Sequence, residues 1–368
     1  MSQITEHATP TDAGREVLDE LDRDRTRGRT RIWLGGLTAL LVLTLPVATG
    51  IGPVDISPAT VARIIGHHLL GWPRAVSWSA AQDAIVEQVR IPRVLLGAVV
   101  GAGLAVTGTA LQAMVRNVLA DPYLLGVTAG ASTGAAATIL FGVGTALGAS
   151  SLTGSAFVGA LASMAVVFAL ARIGGRITSI RLLLAGVAVG YILSAATSFM
   201  IFISDSEQGA RDVLFWLLGS LTLAVWSSVV TAGLVVAAAV GVLLLWARRL
   251  DALAIGDETA RALGVSPTRV RTQLLFVVSL CVGAVVAVSG GIGFVGLVVP
   301  HIARLCVGGT HRRVLPTAAL IGAAFLIWAD AFARVVLAPA ELPLGIVTAV
   351  VGAPMLLILV RRFHASQT

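Results

Sequence analysis

The sequence predicts an all-α integral membrane protein of about ten transmembrane helices with both termini in the cytoplasm. Three observations carry this. Of the 368 residues, 57% are hydrophobic and 12% charged, about half the charged fraction of a soluble domain. Long stretches lack any Asp, Glu or Arg. The arginines are distributed unevenly between alternate connections.

A bilayer-crossing helix needs about 20 mostly apolar residues. Residues 32–54 supply one span and 94–115 a second. Residues 122–171 are long enough for two, with a turn near Gly148–Ser151. Residues 182–204 supply one. Residues 213–247 supply one, preceded by a short helix or loop. Residues 272–303 supply two, the second short and containing Pro300. Residues 314–336 supply one that holds Asp330 and Arg334, and 342–360 the last. The first apolar run starts at Ile32, behind a charged tail, which fits a first span rather than a cleaved signal.

All 26 basic residues are arginine, against 19 acids. With a cytoplasmic N-terminus and ten spans, 20 arginines fall inside and six outside: Arg63, Arg74, Arg90, Arg93, Arg211 and Arg334. That bias is the positive-inside pattern. It also accounts for the high pI without nucleic acid as a partner. The chain divides into a charged tail (1–31), disordered or a short surface helix; a membrane domain (32–362) with a long cytoplasmic connection at 250–270; and a short cytoplasmic tail (363–368). Arginines 25–31 are placed to touch anionic lipid headgroups. The GxxxG pairs Gly97/Gly101, Gly130/Gly134 and Gly186/Gly190 mark close helix crossings.

Several chemistries are excluded or unsupported. A P-loop needs a lysine on the phosphates, and the chain has none, so ATP hydrolysis must reside on another polypeptide. The GxGxxG match at Gly291, Gly293 and Gly296 lies inside an apolar stretch with no βαβ context. Cys281 and Cys306 sit among apolar residues as packing groups. No metal-ligand spacing is present, and the pair His67–His68 reads as solvated loop histidines. No catalytic cluster is present. Asp330 and Arg334, four residues apart on one helix face, can pair structurally or serve transport.

Three segments stand out: Arg90-Ile91-Pro92-Arg93 at the outer end of the second span, the turn RNVLADP (116–122), and GDETARALGV (256–265). The last reads as a short capped helix with early acids, a glycine stop and Pro267 beyond it. It is a natural surface for a partner protein.

These segments resemble the FecCD-type permease family of ATP-binding-cassette importers for ferric siderophores, haem and cobalamin. The matching runs are RIPRVLLGAVVGAGLAVTG (90–108), RNVLADPYLLGVTAGASTGA (116–135), RLLLAGVAVGY (181–191), FWLLGSL (215–221), GDETARALGV (256–265), GFVGLVVPHIARL (293–305) and ADAFARVVLAPAELPLGIVTAVVGAP (329–354). Val118 departs from the proline more usual there. The resemblance implies a type II ABC importer permease fold in the cell membrane. It implies a second permease subunit (an identical copy or a related chain), two ATPase subunits that hold ATP and magnesium, and an extracytoplasmic substrate-binding protein. This chain is then a transport subunit, not an enzyme, and binds no cofactor or metal of its own. Residue by residue, Gly256, Asp257, Glu258, Thr259, Ala260, Arg261, Ala262, Leu263 and Gly264 match the ATPase-coupling helix. Arg90, Arg93 and Arg334 match the arginines that meet the binding protein. Thr178 and Ser179 lie near the cytoplasmic gate, and the fifth span through FWLLGSL matches the pathway lining. A ferric siderophore is the expected cargo, with haem and cobalamin as alternatives and an ion-driven secondary carrier as the rival of another class.

Overall fold

The structure, a computed structural model, describes the backbone of residues 12–172 and 177–365. The first 11 residues of the tail, Arg176 and the last three residues lie outside it. Among the described residues every regular element is helical. Seven helices are long and apolar enough to cross a membrane, and three shorter apolar helices bring the set to the ten expected spans.

The first helix, α1 (Asp12–Gly50), begins inside the charged tail and carries the first apolar span, Gly28–Gly50. The long outer connection is folded. Ser57 caps α2 (Pro58–Leu70), its Oγ accepting the Thr60 N–H at 3.1 Å, and Gly71 ends it in the left-handed region, φ 66°, where a side chain would be strained. Ser79 and Gln82 form a capping box at the start of α3 (Ala80–Ala84). A π-helical turn, Ile85–Arg90, then passes into α4 (Ile91–Val115) without a break.

α4 is the hub. It packs on helices from both halves of the chain, and 78% of its apolar window is buried. Its glycines permit this. A methyl at Gly101 would strike the Gly322 carbonyl, and one at Gly108 the Gly296 carbonyl, so backbones meet where lipid supplies no hydrophobic drive. α5 (Val127–Phe141) and α6 (Ser151–Ala171) cross in the same way through Gly130, Gly134 and Gly159. The connection between them spans 142–150, overlapping the turn expected near Gly148–Ser151.

α7 (Ser179–Ile203) returns to the outer side, followed by the surface helix α8 (Glu207–Leu217) and the span α9 (Trp226–Leu245). The cytoplasmic connection holds α10 (Ala247–Ile255) and α11 (Asp257–Ala262). Then come α12 (Pro267–Ser289), α13 (Val295–Val307), α14 (His311–Val335) and α15 (Leu344–Ala365).

With 13 residues, α13 is about 20 Å long, short of the roughly 30 Å hydrocarbon core. The linker Gly290–Phe294, which contains the first two glycines of the GxGxxG match, completes the crossing as irregular backbone. Such backbone is tolerated at membrane depth only when its polar groups find protein partners. Here the Tyr123 hydroxyl donates to the Ile292 carbonyl and accepts its N–H, both at 2.7 Å. Ser220 N–H donates to Ser289 O at 2.8 Å, and Leu344 N–H to Gly219 O at 2.9 Å. Three chain breaks thus satisfy one another.

Burial separates inner from outer helices. Only 17% of the windows of α1 and α7 and 22% of that of α9 are buried, against 61% for α12 and 67% for α14. The first three therefore face lipid or another subunit. Arg29 Nη2, at the start of the first span, donates to Leu305 O at the end of α13 (2.8 Å). The N-terminal end of the bundle therefore lies on the same side as α10–α11.

Candidate functional site

Polar side chains collect at the two ends of the bundle, and the two ends are built differently. At the cytoplasmic end, Gly256 (φ 151°) turns the chain into α11, and Gly264 (φ 76°) ends it. Val265 N–H returns to Ala260 O at 2.8 Å and Gly264 N–H to Arg261 O at 2.9 Å, closing the C-terminal motif read from the sequence. Six residues do not hold a helix in water by themselves. The anchor is Asp257, whose two oxygens accept from Arg271 Nη1 and Nη2 at 2.8 and 2.7 Å. Arg116 lies 3.9 Å away. Hydrogen bonding from Arg271 holds the Asp257 carboxyl below its ordinary range. Ala260 is buried underneath, while Glu258, Thr259, Arg261, Ala262, Leu263 and Gly264 face solvent. Leu263 and Ile255, at the two ends of this segment, are 64% and 68% exposed.

Arg271 continues the connection inward. It is 2% exposed, and its Nε donates to the Met114 carbonyl at 3.3 Å. Ser179 Oγ donates to the same carbonyl at 3.4 Å. Thr178 Oγ1 caps α7. One carbonyl at the end of α4 therefore joins the α11 anchor to the first residue of α7. Asp251 performs a similar service for α14, its Oδ1 accepting the His311 N–H at 2.9 Å and lying 2.6 Å from His311 Nδ1.

At the outer end the three predicted arginines are buried: Arg90 is 5% exposed, Arg93 6% and Arg334 3%. Arg93 Nε donates to both Asp330 oxygens (3.0 and 3.1 Å), and its Nη1 and Nη2 clamp the Glu341 carboxylate at 2.9 and 2.8 Å. The expected Asp330–Arg334 pair is present, with Arg334 Nε 3.1 Å from Asp330 Oδ2. Arg334 also donates to Ile51 O and Ala48 O, at 2.7 and 3.1 Å. Arg90 donates to Thr49 O (3.2 Å), Gly50 O (2.8 Å) and Val54 O. Two guanidinium groups thus cap the free carbonyls of the α1 C-terminus, where the helix dipole is negative. Arg63, Arg74 and Arg211 are the exposed arginines on this side.

On the outer side, the FWLLGSL segment contributes Phe215, Trp216 and Ser220, together with Asp212, to a cavity of 410 Å³. α7 presents Leu184, Tyr191, Phe199 and Phe202 outward. Arg271 and Glu341 were missed in the sequence. Neither carries a local sequence signal for the contact it makes. Their partners lie 14 and 248 residues away, beyond any local pattern.

The comparisons with known proteins agree with this architecture. The FecCD transport family matches residues 40–362. The hemin transport system permease protein HmuU of Yersinia pestis is 40% identical, the alignment covering 91% of this chain and 97% of that one. The cobalamin import system permease protein BtuC of Halobacterium salinarum is 39% identical, over 90% and 96% respectively. A solved structure described as an inward-facing conformation of a metal-chelate type ABC transporter superposes with a TM-score of 0.77 at 33% identity, covering 89% of this chain and 98% of that one. Built from ten apolar helices in the cell membrane and matched to relatives over nearly its whole length, the chain belongs to the FecCD transport family and is the membrane-spanning permease of an ABC importer.

Proposed function

We propose that this permease carries a ferric siderophore into the cytoplasm by alternating access, driven by ATP on two separate ATPase subunits. The observation that carries the mechanism is the connection from the exposed α11 knob through Asp257, Arg271 and the Met114 carbonyl to Ser179. Each ATPase receives Ile255, Leu263, Glu258 and Arg261 in a groove. ATP binding draws the ATPases together, and the rigid Asp257–Arg271 fork passes that displacement to the start of α7. Thr178 and Ser179 there serve as the cytoplasmic gate. A second permease, identical or related, covers the apolar outward face of α7, and the cargo passes between the two copies. Few charged side chains along α7 suit one-way passage, since a strong binding site would hold the cargo.

Docking of a substrate-binding protein at the outer end takes an indirect form in this reading. Arg90, Arg93 and Arg334 set the shape of the mouth by fixing α1, α4, α14 and the Glu341 turn. The exposed Arg63, Arg74 and Arg211 supply the positive field that steers an acidic partner. ATP and magnesium belong to the ATPases.

A second reading, haem or cobalamin as cargo, is favoured by the permeases named above. The test is ATPase activity of the reconstituted complex with its binding protein, loaded in turn with a ferric hydroxamate siderophore, hemin or cyanocobalamin. Stimulation by the siderophore alone supports the proposal, and stimulation by hemin or cobalamin alone replaces it. In the same assay, Glu258→Ala and Arg261→Ala lower stimulation while leaving binding-protein docking intact. Normal stimulation in both variants removes the coupling role.

A further inference from the structure

We infer that His68, Asp83 and Glu87 form a binding site for a divalent transition metal, with zinc as the best match, on the outer face of the chain. His68 stands in the last turn of α2, while Asp83 and Glu87 lie four residues apart across the junction of α3 with the π-helical turn. The fold brings them together. His68 Nε2 lies 3.2 Å from each oxygen of Asp83 and 3.7 Å from Glu87 Oε2. One ligand atom from each residue lies within 4.8 Å of the others. Zinc takes His nitrogen and carboxylate oxygen at about 2.0–2.2 Å, and three protein ligands leave a fourth position for water. A cation among these three needs only a small contraction. Two carboxylates and an imidazole suit a borderline metal better than calcium, which prefers oxygen alone.

The surroundings hold the ligands in place. Trp78 Nε1 donates to Asp83 Oδ1 at 2.8 Å. Trp226 Nε1 donates to the Glu87 carbonyl at 3.0 Å. The His67 ring packs edge-on against both His68 and Trp78, and its Nδ1 is 2.8 Å from Pro73 O. Second-layer contacts of this kind orient ligating groups. A π turn is itself a device found often at functional positions; here it separates Glu87, beside His68, from Arg90, which turns in to α1. Among the described residues no arginine pairs with Asp83 or Glu87, although cations are plentiful in this chain. Among the described residues His68 is the ion-pair partner of both acids. Side-chain exposures of 38% for His68, 28% for Asp83 and 42% for Glu87 leave an entry path. Bound metal would tie α2 to the N-terminal extension of the central helix and so stiffen the outer connection.

The competing explanation is a metal-free ion pair between protonated His68 and the acids. The full chain, purified on a tag without histidine and placed in phosphatidylcholine nanodiscs, is titrated with zinc chloride against a chromophoric chelator. The expected result is one saturable site at micromolar zinc or below. His68→Gln and Glu87→Gln each weaken it by at least about tenfold, with an unchanged elution profile confirming the fold. Arg74→Gln, at an exposed neighbour, leaves it unaltered. Cobalt(II), as a second probe, should quench Trp78 fluorescence in the wild type and not in His68→Gln. Zinc affinity that is the same in all variants, or no saturable binding at micromolar zinc, overturns the assignment in favour of the ion pair.

Discussion

The outer and cytoplasmic ends of this bundle use the same residue type to opposite effect. At the outer end, Arg90, Arg93 and Arg334 are buried and spend their donors on Asp330, Glu341 and the last carbonyls of α1, which leaves the exposed positive charge to Arg63, Arg74 and Arg211. At the cytoplasmic end, the buried Arg271 holds out a helix whose other polar groups face solvent. The difference teaches that a conspicuous arginine in a membrane protein marks a place where charge is needed without saying which side needs it. At one end the need is internal satisfaction of helix termini and acids. At the other it is anchorage for an exposed helix.

The largest effect should come from breaking the outer network. Arg93→Ala leaves Asp330, 1% exposed, with Arg334 as its only cationic partner and strands Glu341. Removing one partner from a buried ionic cluster costs about 3–5 kcal/mol, so melting temperature and yield in detergent should both fall sharply. Arg93→Lys should rescue little, because an ammonium cannot reproduce the fork. A stable Arg93→Ala protein that fails only to dock its binding protein would overturn the contrast, making the outer end a contact surface as well.

The next effect sharpens the other half of the comparison. Leu263→Asp places a charge on the exposed apolar residue that ends the α11 knob. A central contact residue is worth about 2 kcal/mol or more at an interface, roughly a thirtyfold loss of ATPase affinity. The permease alone should melt as the wild type does. Co-purification with the ATPase measures the first expectation and thermal unfolding of the lone chain the second. Undiminished co-purification would move the contact elsewhere.

The sequence carried the ten spans because bilayer thickness imposes a length and a composition that can be counted, and the turns at 142–150 and 290–294 fell where glycine interrupts the apolar runs. It also carried the α11 segment, since acids, glycine and proline at fixed offsets are local signals. Burial of Arg90, Arg93 and Arg334 was not legible: whether an arginine at a helix end points to water or to a neighbouring helix depends on packing between residues as far apart as Arg93 and Glu341. For the same reason His68 read as a solvated loop histidine. Only the return of the chain at α3 sets two acids against it.

The smallest effect tests the anchor of the knob. Asp257→Asn keeps the shape and removes the charge from the Arg271 fork. At a site 27% exposed the loss should be about 1 kcal/mol, with the ATPase still bound but substrate-stimulated turnover reduced. The pH dependence separates this from a contact role. The Asp257 carboxyl is held below its ordinary value, first by hydrogen bonding from Arg271. A depressed acid contributes stability that is fully present above its unfolded value of 3.8 and is lost as pH falls through the lower folded value. The melting difference between wild type and Asp257→Asn should therefore be constant at neutral pH and should shrink as pH drops below about 4. A difference that stays constant through that range would mean the fork contributes nothing through its charge. The connection from α11 to α7 would then rest on packing alone.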